Sequence, residues 1–272
     1  MGNFPKLKWL VYRRLLKFAR SGRLSPSVHI LCKTFEDRFN GENNSELETN
    51  GELKFLREHG VRSSVFFDVG ANRGGWSERV LEVNPAAVIH CFEPCKTSFT
   101  QLTAHPWPQG VFLNNFGLSS SSNTRQLYVF SQDSEMNSLY RRTGLEAMAG
   151  ISPPENTEAI SLKPLDEYCE INAIAQIDFL KIDTEGHEYD VLAGAAKMLK
   201  AGRIKRIQFE YGGCYIHAGA LLLHIFNLLE GLNYKVYKIM PDGLVPVPAY
   251  DQRLENFQYK NFAVLHADIR PE

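Results

Sequence analysis

A glycine-rich segment at residues 66–75 has the composition of a loop that holds a small ligand. Its sequence, Phe-Phe-Asp-Val-Gly-Ala-Asn-Arg-Gly-Gly, follows an apolar run and leads into a helical pattern. Small residues in such a loop let backbone N–H groups approach a ligand closely, and the amino terminus of a helix favours a carboxylate or phosphate. The segment therefore predicts a binding site for a ligand with an anionic group.

An acidic residue, Glu93, ends the next apolar run, in the sequence Cys-Phe-Glu-Pro. It lies 19 residues beyond Gly74, an offset at which an acidic side chain binds both hydroxyls of an adenosine ribose. The alternative is that Asp68 caps the helix and Glu93 is a solvated strand end. Asn72 replaces the middle glycine of the dinucleotide fingerprint, where a pyrophosphate needs the closest backbone approach, and this disfavours NAD. The pattern indicates another adenosine-containing cofactor.

The hydrophobic pattern around these residues predicts alternating strands and helices. Strands are predicted at residues 64–69, 88–92, 111–113, 125–131, 177–182 and 204–209, and helices at 76–83 and about 189–200. Such alternation implies βαβ units, and hence an α/β fold with a mostly parallel sheet and helices on both faces. Ligands of such sheets bind at the carboxyl ends of the strands, where the glycine-rich segment and Glu93 lie.

Three motifs, in this order, resemble the FkbM-type S-adenosylmethionine-dependent methyltransferase family. They are Asp-Val-Gly-Ala-Asn-Arg-Gly at 68–74, Phe-Glu-Pro at 92–94 and Leu-Lys-Ile-Asp-Thr-Glu-Gly-His-Glu at 180–188. The resemblance covers roughly residues 65–265. It implies a Rossmann-like class I methyltransferase fold, with a seven-stranded sheet whose last two strands form an antiparallel hairpin. Residues 234–239 and 258–265, joined by a proline- and glycine-rich stretch at 241–248, independently supply that hairpin.

The resemblance also implies that S-adenosylmethionine is the cofactor. The positions that correspond to its contacts are, from the methionine end through the ribose to the adenine, Asp68, Gly70, Asn72, Gly74, Glu93, Gly117 and Leu118. For Asn72, a turn residue that tolerates an unusual backbone angle is compatible with this role.

The acceptor side is expected at the end of the strand at 177–182. Methyl transfer from a sulfonium is an in-line displacement, so alignment of the acceptor provides much of the catalysis, and a base helps when the acceptor is a hydroxyl. His187 is a candidate base because its unperturbed pKa is near the operating pH; the alternative is a helix-start residue bonded to a neighbouring carboxylate. Asp183 is preferred, because the tip of the fourth strand borders the transfer site in this fold. The candidate catalytic residues are Lys181, Asp183, Glu185, His187 and Glu210.

The same acidic region also has the residue types of a divalent-cation site. Asp183, Glu185, His187 and Glu210 offer ligand atoms that Mg²⁺ or Mn²⁺ accepts. A hydrogen-bonded acidic site without an ion is the favoured interpretation, so no metal ligand is predicted.

Members of the resembling family methylate hydroxyl groups, often on sugars or natural products. The resemblance thus implies an O-methyltransferase that acts on a small-molecule, glycan or lipid-linked acceptor. Two alternatives stay open: an RNA 2′-O-methyltransferase that uses Lys181, Asp183 and Glu185, and a non-catalytic cofactor-binding module at a membrane. The segment 132–158, which contains Tyr140 and Arg142, is expected to fold over the site as a lid or acceptor wall.

Charge is divided unevenly along the 272 residues. The formal net charge is −1, yet residues 1–35 hold eight basic residues and no acidic one, which leaves 22 basic and 31 acidic residues in the remainder. The resulting −9 balance counts against nucleic acid as a partner. Residues 1–39 are predicted as a basic amphipathic helical extension. Through residues 5–23, it either contacts an anionic membrane surface or docks on its own domain.

Residues 40–51, with four Asn and two Gly, are predicted as a linker, and the methyltransferase domain at 52–272. The five cysteines include no C-x-x-C pair. The sequence shows no stretch typical of a membrane span or a secretory signal. A cytoplasmic location is therefore predicted, with peripheral membrane contact left open.

Overall fold

The computed structural model describes residues 6–20, 26–130, 136–145, 150–154 and 156–271. The chain divides into two compact units, Met1–Asn43 and Asn44–Glu272. The first contains helices α1 (Lys6–Arg20) and α2 (Pro26–Asn40). Residues 1–5 and 21–25 of the predicted extension lie outside the described residues. No described helix is both long enough and apolar enough to cross a membrane.

The described part of the second unit is organised around two sheets. The strands are β1 (Val65–Val69), β2 (Val88–Phe92), β3 (Val111–Asn114), β4 (Gly117–Leu118), β5 (Asn123–Val129), β6 (Asn156–Lys163), β7 (Phe179–Ile182), β8 (Arg206–Tyr211), β9 (Tyr234–Met240), β10 (Gly243–Val247) and β11 (Lys260–His266). The main sheet has the order β10-β9-β11-β8-β7-β1-β2-β3, and a smaller sheet has the order β4-β6-β5.

Helices connect and cover these strands. They are α3 (Glu52–Gly60), α4 (Gly75–Val83), α5 (Lys96–Ala104), α6 (Leu165–Ile171), α7 (Glu188–Ala193), α8 (Ala196–Lys200), α9 (Cys214–Ala218) and α10 (Leu222–Leu229), with a 3₁₀ turn at Gln252–Leu254. Adjacent residues of β1 belong to different apolar clusters, one on each face of the sheet. Phe66 belongs to a cluster that includes side chains from α3 and α4, and Phe67 to a cluster that includes side chains from α6 and α10. The alternation buries both faces of the sheet, as expected for an α/β fold.

Five neighbouring strands of the main sheet, from β3 to β8, run parallel. β11 is antiparallel to both β8 and β9, which confirms the predicted antiparallel pairing at the C-terminal end. The prediction of seven strands is wrong, because the stretch at 241–248 contributes β10, an eighth strand antiparallel to β9. Pro246 fits in β10 because this is an edge strand, where a missing N–H leaves no interior ladder bond unmade.

The segment predicted as a linker is partly packed into the second unit, whose boundary lies between Asn43 and Asn44. Asn50 and Gly51 are buried. Gly51 has a φ of +99°, and a Cβ there would lie 2.3 Å from the carbonyl oxygen of Met240. Polar composition did not distinguish this packed turn from a solvated linker, because its asparagine side chains form hydrogen bonds within the fold.

Candidate active site

The glycine-rich loop leads from the end of β1 into α4 and packs against the end of β7. Asp68 on β1 is fully buried and accepts a 2.7 Å hydrogen bond from the hydroxyl of Ser77 on α4. Gly70 has a φ of +83°, and a Cβ there would lie 1.8 Å from the carbonyl oxygen of Asp183. Only glycine allows this approach, so the loop and the strand end that carries Asp183 are in direct backbone contact.

The amino terminus of α4 has the features of an anion site. No side chain caps it within the described residues, and a Cβ at Gly75 would meet nothing within 4 Å. Gly74 has a φ of +93° and packs against the ring of Trp107, while Asn72 has a φ of +47°, as the turn interpretation requires. Uncapped amides beside open space fit a carboxylate, such as that of the methionine part of S-adenosylmethionine.

Glu93 lies directly beyond β2 and accepts two backbone hydrogen bonds, one of them from the glycine-rich loop. Its Oε2 accepts from the N–H of Asn72 at 2.8 Å, and its Oε1 accepts from the N–H of Cys95 at 2.7 Å. The side chain is buried, so it is not a solvated strand end. Burial raises the pKa of Glu93 to about 7, although the two N–H donors oppose the increase.

This pKa shift predicts a pH dependence of stability in the ligand-free protein. A carboxyl whose pKa is higher when folded contributes stability below its unfolded pKa and loses it as the pH rises through the folded value. We therefore expect the contribution of Glu93 to the free energy of unfolding to fall by about 3 kcal/mol as the pH rises from 4.5 to about 7. Urea denaturation across this range should show a shallower decline for Glu93→Gln than for the wild type.

The matched control is Glu170→Gln, at an exposed position, which should keep the wild-type slope. Burial also raises the pKa of Glu188 to about 7, so part of the decline should persist in Glu93→Gln. A Glu93→Gln slope equal to that of the wild type would contradict the prediction.

The residues predicted near the adenine, Gly117 and Leu118, form the short strand β4 beside β6. Leu118 is 1% exposed in the main core, and a Cβ at Gly117 would lie 2.7 Å from Cδ2 of Leu162. Both residues therefore contribute to packing, and an adenine contact by either stays a prediction.

Lys181 lies between the glycine-rich loop and the acceptor side. It neighbours Asp68 across the β1–β7 pairing, and its Nζ lies 3.5 Å from Asp68 Oδ1 and 3.3 Å from Asp183 Oδ2. Burial by itself would lower the pKa of Lys181, but the carboxylates of Asp68, Asp183 and Glu52 outweigh burial and raise it above the ordinary value. The raised pKa favours the ammonium form of Lys181.

Three predicted catalytic residues meet at the carboxyl ends of β7 and β8. Each of Asp183, Glu185 and Glu210 has a carboxylate oxygen within 4.8 Å of those of the other two. Burial raises the pKa of Glu210 well above its ordinary value, and the charges of Asp183 and Glu185 add to the effect. The Asp183 side chain is 35% exposed. The group can therefore accept hydrogen bonds from hydroxyls, and the raised pKa of Glu210 favours its protonated form, which can also donate one.

Part of the predicted lid contacts the loop that follows β7. The described residues 136–145 include Arg142, whose Nη1 donates to Glu185 Oε2 at 2.7 Å, and Ser138, whose hydroxyl donates to the Glu185 carbonyl at 2.8 Å. Residues 132–135, 146–149 and 155 of the predicted lid lie outside the described residues. Glu185, with a φ of +54°, is thus connected to the lid by both its side chain and its backbone.

His187 is not part of the acidic group. Its ring is 2% exposed, Nε2 lies 2.9 Å from the hydroxyl of Ser119, and Nδ1 lies 2.8 Å from the hydroxyl of Tyr140. Burial lowers the pKa of His187 to about 4. The low pKa favours the neutral ring, which connects the lid to Ser119, directly after β4, and each ring nitrogen lies within hydrogen-bond distance of a hydroxyl.

Two residues that contact the site, Ser77 and Ser119, lie outside every sequence motif, and a third, Glu188, ends the motif at 180–188 but was not predicted as a site residue. Glu188 accepts hydrogen bonds from the N–H groups of Thr184 and Gly186 and so closes the loop after β7. A carboxylate in the first turn of a helix often binds preceding N–H groups, so this contact had a local signal. Ser119 had none, because it lies 68 positions from His187.

Comparison with known proteins places the chain among methyltransferases. The family described as Methyltransferase FkbM domain matches residues 68–236. 2-O-methyltransferase NoeI of Sinorhizobium fredii is 24% identical over 194 residues, which cover 66% of this chain and 76% of NoeI. Hexuronic acid methyltransferase AglP of Haloferax volcanii is 25% identical over 164 residues, which cover 59% of this chain and 62% of AglP.

A solved structure with a similar description is that of methyltransferase FkbM from Methylobacillus flagellatus KT. It matches 74% of this chain and 43% of its own length, at 15% identity and a TM-score of 0.44. The chain thus spans less than two thirds of AglP and less than half of this solved protein.

Proposed function

Since the chain belongs to the FkbM methyltransferase family, we propose that it transfers a methyl group from S-adenosylmethionine to a hydroxyl group of a sugar or glycan. The observation that carries this proposal is the group of three carboxyl side chains, Asp183, Glu185 and Glu210, at a strand end that touches the glycine-rich loop. Carboxyl groups bind sugar hydroxyls well, since each offers several acceptor sites. The names of NoeI, a 2-O-methyltransferase, and AglP, a hexuronic acid methyltransferase, support the same acceptor class.

S-adenosylmethionine, when bound, would supply an electrophilic methyl group: the hydroxyl oxygen would bond to the methyl carbon in line as the carbon–sulfur bond breaks, with neutral S-adenosylhomocysteine as the leaving group. The N–H groups of the first turn of α4 would hold its carboxylate, and Glu93 would accept hydrogen bonds from the ribose hydroxyls. Glu93 already binds the N–H of Asn72, so the same carboxylate would position both the loop and the ribose.

On the acceptor side, Asp183 orients the acceptor hydroxyl and takes its proton on Oδ. Asp183 is suited to this role because its side chain is partly exposed and its backbone lies against the loop. The ammonium of Lys181, 3.3 Å away, stabilises the Asp183 carboxylate before the proton arrives. Glu210, whose pKa is raised by burial, contributes a further carboxyl group for hydrogen bonding to the acceptor. We assign His187 to positioning the lid.

Replacement of Glu93 by alanine is expected to weaken S-adenosylmethionine binding by about 10- to 100-fold, because hydrogen bonds to a charged group contribute about 1.5–3 kcal/mol. Turnover at saturating cofactor should change much less. Isothermal titration calorimetry gives the affinity, and Glu170→Ala, at an exposed position, is the control. An affinity of Glu93→Ala equal to that of the control would refute the ribose assignment.

The function itself is tested by incubating the protein with S-adenosylmethionine labelled on the methyl group and a panel of sugars that includes hexuronic acids. Mass spectrometry of the products should show a sugar that carries one added methyl group on oxygen, absent when Asp183→Asn replaces the wild type. Methylation of RNA but of no sugar would overturn the acceptor class. An absence of cofactor binding in calorimetry would overturn the proposal as a whole.

A further inference from the structure

Helix α1 exposes a broad set of apolar side chains. The described members, which are 39–60% exposed, are Trp9, Leu10, Val11, Tyr12, Leu15, Leu16 and Phe18. None of the described side chains of α1 or α2 is buried. An exposed apolar surface of this kind marks an interaction site, because an apolar helix face is stable only when a partner or a lipid phase covers it.

Positive charge accompanies the apolar side chains of α1. Its 15 residues include six basic residues and no acidic one. At about 100° per residue, Arg13 and Lys17 fall on the side opposite Val11 and Leu15. The guanidinium of Arg13 lies 4.7 Å over the ring of Trp9, so a cation and an aromatic ring meet where the two sides join.

We propose that α1 binds the surface of an anionic lipid bilayer, with its axis in the plane of the headgroups. A bilayer surface offers acyl chains for Val11 and Leu15 and anionic headgroups for Arg13 and Lys17 at the same time. Nucleic acid offers phosphates but no apolar phase. A second copy of α1 offers an apolar face but the same positive charge. The long stem of Arg14, which falls within the apolar side, can extend its charge to the headgroups.

This proposal goes beyond methyl transfer and does not depend on it, so its test needs no substrate. The full chain is sedimented with vesicles of phosphatidylcholine, alone or mixed with phosphatidylserine. We expect binding to the mixed vesicles and little binding to neutral ones. Raising the ionic strength from about 0.1 M to about 1 M, which shortens the Debye length from about 10 Å to about 3 Å, should weaken the binding strongly.

Two variants separate the contributions of charge and apolar contact. Arg13→Glu combined with Lys17→Glu is expected to weaken binding to phosphatidylserine vesicles at least about 25-fold, since each basic residue near such a surface contributes roughly fivefold. Val11→Asn combined with Leu15→Asn should also weaken it, by about tenfold or more. The matched control, Lys197→Glu with Lys200→Glu, makes the same charge change on exposed residues of α8 and should bind like the wild type.

Circular dichroism and calorimetric cofactor binding check that each variant is folded. Equal binding to neutral and anionic vesicles, or equal losses in the α1 and α8 charge variants, would overturn the proposal. Self-association in analytical ultracentrifugation without vesicle binding would replace it with an interface between copies of the chain.

Discussion

Asp183→Asn should lower turnover by about 10²- to 10⁴-fold, the range in which a positioned acid or base contributes to rate. Asparagine keeps the shape of the side chain but cannot accept the proton of a hydroxyl at neutral pH. S-adenosylmethionine affinity should change by less than about threefold, because the backbone contact between Asp183 and Gly70 does not involve the side chain. Turnover measured with the acceptor from the sugar panel, beside calorimetry with the cofactor, gives both values.

Asp242→Asn is the matched control for this variant, because Asp242 is exposed in the turn between β9 and β10. It should retain wild-type turnover and affinity. Glu93→Ala and Asp183→Asn should affect different parameters, affinity in the first and turnover in the second. If both variants reduced both parameters equally, the division between cofactor binding and acceptor alignment would be wrong.

Lys181→Met should lower the free energy of unfolding by about 3–5 kcal/mol. Removal of one partner from a buried ion pair has this cost because the remaining charge is left without compensation, and here Asp68 is fully buried. Urea denaturation measures the loss. The exposed position Lys197 supplies the control, Lys197→Met, which should change stability by no more than about 0.5 kcal/mol.

The double variant Asp68→Asn with Lys181→Met tests the physical cause of that loss. If the loss comes from an uncompensated carboxylate, the double variant should be more stable than the sum of the two single changes predicts. Additive losses would show that Lys181 stabilises the fold through packing and not through its charge.

The parts of the site that the sequence predicted well are those whose signals are local. An apolar run, the glycine pattern at residues 66–75 and an acidic residue after the next run lie close together in the chain, and β1, β2 and Glu93 occupy the expected places. Parallel strands also have a fixed geometry at their carboxyl ends. For this reason the sequence alone suggests that Asp183, directly after β7, lies near Glu210, at the end of β8.

The remaining features depend on contacts between distant positions or on weak patterns. His187 has the residue type of a general base, but its ring nitrogens contact the hydroxyls of Ser119 and Tyr140, and no local pattern connects these residues. β10 was missed because an edge strand that contains a proline carries little apolar alternation. The helix predicted at about 189–200 is split into α7 and α8. The interruption includes Gly194, where a Cβ would lie 2.0 Å from the carbonyl oxygen of Ser119.

The close backbone approach at Gly70 limits how acceptor preference can change in this protein. The loop and the strand end that carries Asp183 are in backbone contact there, so neither can shift to admit a larger acceptor without displacing the other. Arg142 and Ser138, by contrast, reach the site from a segment outside the main sheet. We therefore expect substitutions within residues 136–145 to change acceptor preference with less disturbance of the fold than substitutions in the glycine-rich loop or at the end of β7.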